Sequence, residues 1–180
     1  GDTHVAGVAQ QTLAIANTAA NDGFSEQLSV TGRVDTGDVT TSGMIGGLIN
    51  AGSSDSNLSV VLDTSSAGAK SGTVTLSGES DGNSTSGFSS NVTLADQVVN
   101  VYRLAEPSAH SPAPVMLANV HVGDVSQQAL SISNTAANDG FSENLNAILG
   151  TTTGNATASG SFNGLTAGSS DSSSLIVGVD

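Results

Sequence analysis

The sequence predicts an all-β protein built from tandem β-sandwich modules, mainly antiparallel, with the second module incomplete. Three observations predict it. The decapeptide NTAANDGFSE occurs at Asn17–Glu26 and again at Asn134–Glu143. Apolar residues alternate with small polar ones at a period of two, which puts one face of a strand inward and the other outward. Short alternating stretches are separated by Gly, Asn and Asp turns at roughly ten-residue spacing, the pattern of a sandwich.

The duplication extends beyond the decapeptide. His4-Val5 matches His121-Val122, Gln10-Gln11 matches Gln127-Gln128, and Ser42-Gly43 matches Ser159-Gly160, all at one offset. AGSSDS at Ala51–Ser56 returns at Ala167–Ser172 one residue early, and Leu58 and Asp63 regain the offset against Leu175 and Asp180. One deletion and one insertion around AGSSDS account for the slip. A repeat this long is outside the range of solenoids, so each unit is a domain of ordinary size. Module 1 is expected over 1–106, a Pro-containing connector over 107–114, and the N-terminal part of module 2 over 115–180.

Strands are expected in order. Leu13 and Ile15 alternate with Ala14 and Ala16, as Leu130 and Ile132 do with Ser131 and Ser133. Leu58-Ser-Val60, Thr73–Ser77 and Val99-Asn-Val101 continue the pattern, and Thr and Val favour a pleated surface. Asn17-Thr18 closes the first of these strands. Asn21-Asp22-Gly23 has turn chemistry, with Gly23 free to take positive φ. Phe24, one of four phenylalanines, is expected to plug the end of the sandwich, with Leu28 and Val30 entering the next strand.

Composition excludes several function classes. Sixteen acidic residues against three basic ones give a net charge of −13, which repels phosphate backbones and argues against nucleic-acid partners. No basic amphipathic stretch suits an anionic membrane, and no apolar run approaches the roughly 20 residues that cross a bilayer, so no direct membrane insertion is expected. Without cysteine there is neither a disulfide scaffold nor a thiolate metal site. The first residues do not read as a signal peptide, so any secretion signal or anchor is expected outside this stretch.

Val122-Gly123-Asp124, followed by Leu130-Ser-Ile-Ser-Asn134-Thr135, resembles the opening strands of ASH-type immunoglobulin-like domains. The Gly/Ser/Thr-rich modules also resemble repeats of large bacterial surface proteins of the "choice-of-anchor D" type. The resemblance implies a secreted immunoglobulin-like sandwich of seven to nine strands in tandem array. It supplies no catalytic residue, and the Cys–Trp–Cys pattern of antibody domains is absent.

Candidate chemistry is sparse. Asn21, Asp22 and Glu26, with Asn138, Asp139 and Glu143, could offer hard oxygens to calcium, but without the dense acidic spacing of an EF-hand. The competing reading is a structural corner copied with its domain, with no required cofactor. His4, His110 and His121 lack the convergent partners that zinc needs and read as strand-edge residues. Serines are abundant, yet no nucleophile elbow or triad order appears, so no enzyme is expected. Asp55 and Asp171 are expected to cap turns through side-chain hydrogen bonds. Asn57, Asn83, Asn91 and Asn155 begin Asn-x-Ser/Thr sequons of the kind this composition generates freely.

The functional expectation is a structural or adhesive stalk, spacer or fibre module of an extracellular or surface-attached protein. The alternative is a carbohydrate-binding module, although aromatics are only 3% of the chain and Trp is absent, so a stacking platform is hard to build. Expected partners are neighbouring repeats or other copies of the chain, through strand completion, and cell-surface glycans. Glu106–Pro114 should extend between modules, unless Ala113–Val115 already pairs as the first strand of module 2. The strands around Leu130–Ile132 and Leu175–Val177 should expose apolar faces or unpaired sheet edges, because the counterparts of Val74–Leu76 and Val98–Tyr102 do not follow Asp180.

Overall fold

A computed structural model of the chain describes residues 2–81, 92–93 and 99–179. Among these residues there is no helix, and the fold is all-β. The strands are β1 (Thr3–His4), β2 (Gln10–Ala16), β3 (Leu28–Gly37), β4 (Val39–Gly43), β5 (Ser54–Leu62), β6 (Gly68–Lys70), β7 (Gly72–Ser80), β8 (Val92–Thr93) and β9 (Val99–Tyr102). They continue with β10 (Ser126–Ser133), β11 (Leu145–Ile148), β12 (Ala156–Ser159), β13 (Ser161–Leu165) and β14 (Ser170–Val179). The chain divides into two compact units, Gly1–Val101 and Tyr102–Asp180.

Unit 1 contains three sheets, ordered β2-β5-β4, β3-β7-β8 and β1-β9-β6. Their inward faces share one core of Val39, Leu58, Leu62, Val74, Leu76 and Val101, with Leu13 and Ile15 packed at its margin. The alternation read in the sequence supplies these residues: Val74 and Leu76 are buried while Thr73, Thr75 and Ser77 are half-exposed. Lys70 is buried beside this core. Its ammonium donates to Ser66 Oγ at 2.9 Å and lies 3.8 Å from Asp38.

Unit 2 has sheets ordered β10-β14-β12 and β11-β13. The ladders of its β10-β14-β12 sheet repeat those of β2-β5-β4 in unit 1. Leu13 faces Leu58 and Ile15 faces Asp55; Leu130 faces Leu175 and Ile132 faces Asp171. Both pairs enclose the same bulge, and Thr40↔Val61 on β4–β5 returns as Thr157↔Gly178 on β12–β14. The duplication in sequence is thus a duplication in register.

Three expectations need correction. Phe24 plugs nothing: it is 93% exposed. The strands around Leu130 and Leu175 do not show bare apolar faces, since these two leucines are 5% and 1% exposed. The third correction concerns the Pro-containing segment. Glu106–Ser111 is paired along the free edge of β10 rather than extended as a connector. Ser111 N donates to the Ser131 carbonyl at 2.9 Å, and Ser131 N returns a bond to the Ser111 carbonyl at 2.7 Å. Ser108 N donates to the Ser133 carbonyl and Thr135 N to the Glu106 carbonyl. The prolines did not prevent pairing because Pro107 and Pro112 flank the donors used, Ser108 and Ser111.

Candidate functional site

The repeated decapeptide forms a corner between two strands. In both copies an asparagine at its head ties the corner together. Asn17 Nδ2 donates to the carbonyls of Glu26 at 2.9 Å and Ile49 at 3.0 Å, and its Oδ1 accepts from Ala19 N. Asn134 Nδ2 donates likewise to Glu143 and Leu165, and its Oδ1 accepts from Ala136 N. These side-chain bonds give partners to backbone groups of the corner, the Ile49 carbonyl also accepting from Leu28 N at 2.9 Å. The turn follows the expected chemistry. Asp22 Oδ1 accepts from Phe24 N at 2.9 Å, Asp139 Oδ1 from Phe141 N at 3.0 Å, and Gly23 and Gly140 take φ of 84° and 85°.

The two corners differ in what covers them. In unit 2, Arg103 lays its guanidinium on Asp139, with Nη1 at 2.8 and 2.7 Å from the two carboxylate oxygens. That donor, together with the Phe141 amide, holds the Asp139 carboxyl below the usual carboxylate range. Arg103 N donates to the Phe141 carbonyl, Glu143 N donates to that of Arg103, and Tyr102 packs its ring 6.1 Å from the ring of Phe141. Glu106 N adds a second donor to Asn134 Oδ1 at 3.1 Å. In unit 1 the same place is a groove of about 870 Å³ along β2, lined by Ala14, Ala16, Asn17, Thr18, Ser25 and Glu26 among others.

Three of the candidate calcium ligands have protein partners of their own. Asp22 is engaged with its own turn, Glu26 accepts from Ser80 Oγ, and both oxygens of Asp139 face Arg103. Among the described residues no group of three or more His, Asp or Glu is arranged to hold a metal. Of the histidines, only His4 lies on a strand. His121 stands 3.7 Å from Asp124 in a turn, and His110 Nδ1 is 3.0 Å from the Pro112 carbonyl oxygen.

Asp55 and Asp171 cap backbone as expected, but within strands. Asp55 Oδ1 accepts from Asn57 N at 2.8 Å, and Asp171 Oδ1 from Ser174 N at 2.9 Å. Ser174 Oγ also donates to Asp171 at 2.7 Å, and these bonds lower the Asp171 carboxyl. Each aspartate therefore stabilises the bulge that interrupts its ladder. Asn57 and Asn155 are exposed; the sequons at Asn83 and Asn91 lie outside the described residues.

No protein-family model, curated protein or solved structure matches the chain. What distinguishes the two corners had no signal in the residues of the corner itself, which are identical. It comes from Tyr102–Ser111, a stretch whose prolines disguised an edge strand.

Proposed function

We propose that the chain is a segment of tandem immunoglobulin-like β-sandwich repeats, serving as stalk, spacer or fibre module of a secreted or surface-attached protein. One observation carries this reading: the units keep the same ladder register, bulge and corner while the side chains between them vary. Ala14 becomes Ser131, and Val61 becomes Gly178. Selection for a geometry that repeats, with no chemistry attached to it, fits a spacer. The surplus of acidic over basic residues supports it as well, keeping a crowded array soluble through mutual repulsion. Antibodies raised against the chain should label intact cells of the source organism from outside; labelling only after permeabilisation would sink the reading.

A carbohydrate-binding role has one observation in its favour, the exposed ring of Phe24 beside the groove. Tyr102 cannot serve, since its ring packs on Phe141. Glycan-array binding abolished by Phe24→Ala would establish this second role; a blank array leaves the spacer.

A further inference from the structure

The exposed corner of unit 1 is the covered corner of unit 2 with its cover removed. Six residues of unit 2 that touch the 103–111 segment have counterparts lining the unit 1 groove, and the other two, Asp139 and Phe141, correspond to Asp22 and Phe24 of the adjoining turn. Ser131, Ser133, Asn134, Thr135, Ser142 and Glu143 correspond to Ala14, Ala16, Asn17, Thr18, Ser25 and Glu26. Exposure follows the same division. Leu130 and Ala136 are each 5% exposed, whereas Leu13 is half-buried and Ala19 exposed. Phe141 is half-buried against Tyr102, and Phe24 is bare. Asn134 Oδ1 accepts two backbone donors where Asn17 Oδ1 accepts one. Asp139 carries a guanidinium, and Asp22 has no basic partner among the described residues.

We infer that the unit 1 groove is a docking site for an extended segment of another repeat of this kind, with the chemistry of Tyr102–Ser111. The segment adds a strand to the edge of β2 that is free among the described residues, the recognition mode in which main-chain bonds give affinity and side-chain sites give specificity. Its aromatic residue covers Phe24 and its arginine pairs with Asp22. The residue three beyond the arginine donates its amide to Asn17 Oδ1, and the chain then runs antiparallel to Ala16 and Ala14. Glu26 lines the groove and Asp22 lies in the adjoining turn, so the two carboxylates complement the arginine of the occupant in a chain with only three basic residues. An unpaired edge with an apolar flank is a surface that proteins otherwise blunt or cover. This goes beyond the spacer reading, since it holds wherever the protein resides.

The test uses the full chain and a synthetic peptide of residues 102–114. Saturable one-to-one binding is expected, with amide shifts at Ala14, Asn17, Phe24 and Glu26. Charge reversal in the peptide (Arg103→Glu) should weaken binding at least about threefold, as should Asp22→Ala in the chain. Residues 102–117 fused directly before Gly1 should occupy the groove in cis, protect the Ala14 and Thr18 amides from exchange and abolish peptide binding. If instead the fused chain still binds free peptide, separate chains and not preceding repeats supply the strand. No binding at about 1 mM peptide, equal binding of the charge-reversed peptide, or shifts confined to unit 2 would overturn the inference.

Discussion

Asn134 holds Glu143: its side-chain Nδ2 donates to the Glu143 carbonyl at 3.0 Å, across nine residues of corner. The same amide reaches Leu165, and its oxygen accepts from Glu106 and Ala136, so one fully buried side chain satisfies four backbone groups. Asn134→Ala removes all four bonds and should cost about 3 kcal/mol, because buried groups left without a partner carry a desolvation penalty. Asn17→Ala breaks three such bonds at a wetter site and should cost less. Urea titrations followed by amide exchange in each unit check the order; a larger loss at Asn17 would contradict it.

Gly43 and Gly160 repeat for a steric reason. Both adopt positive φ, 89° and 106°, and a Cβ there would lie 2.0 Å from the Asn57 carbonyl oxygen and 1.8 Å from that of Ser174. The bulges capped by Asp55 and Asp171 bring those carbonyls in. Alanine at either position must displace a strand backbone and should destabilise its unit by about 3 kcal/mol. By contrast Gly23→Ala meets open space and should cost only the unfavourable φ, about 1 kcal/mol. Thermal melts of the three variants should rank accordingly.

Leu130 and Leu13 occupy matching ladder positions with unequal burial. Leu130→Ala should cost about 2–4 kcal/mol through the cavity it leaves, and Leu13→Ala about half of that, since its site already opens onto the groove. Equal losses would mean that the groove is closed in solution.

The strands of this fold were legible because their alternation is local: Leu13/Ile15, Leu58/Val60 and Val74/Leu76 each announce an inward face within three to five residues. The repeat made the duplication of those strands legible, whereas which strands pair, and in what register, depends on non-local contacts. The exposure of Phe24 was not legible. A phenylalanine in a turn reads as core unless its neighbours in space are known, and its cover in the other copy, Tyr102, lies 39 residues upstream of Phe141. Glu106–Ser111 was misread because proline lowers strand propensity, whereas an edge strand needs donors on one side only. The corner's importance was visible as an exact repeat, but its openness in unit 1 depends on non-local packing.

Acid sensitivity should be greater in unit 2, where two described carboxyls are held low, than in unit 1, where Ser65 holds Asp63 low. The Asp139 carboxyl is held low first by Arg103 and then by the Phe141 amide, and Asp171 is held low by Ser174. Unfolded, these carboxyls return to ordinary values near 4. Between the unfolded and folded values the unfolded chain binds more protons, so the stabilisation is complete above about pH 5 and is lost as pH falls through the folded values. An opposing effect is relief of repulsion among sixteen acidic residues, which favours the fold on mild acidification. At 0.15 M salt the Debye length is about 8 Å, so that long-range relief is weak while the 2.7 Å contact persists. Stability of unit 2 should therefore be flat from about pH 8 to 5 and decline below about 4. Arg103→Gln removes the largest influence on Asp139 and should make the decline shallower, while lowering stability at neutral pH. Urea midpoints at pH 7 and pH 3 read both effects, and an unchanged difference between those midpoints in Arg103→Gln would show that the guanidinium does not set the acid response.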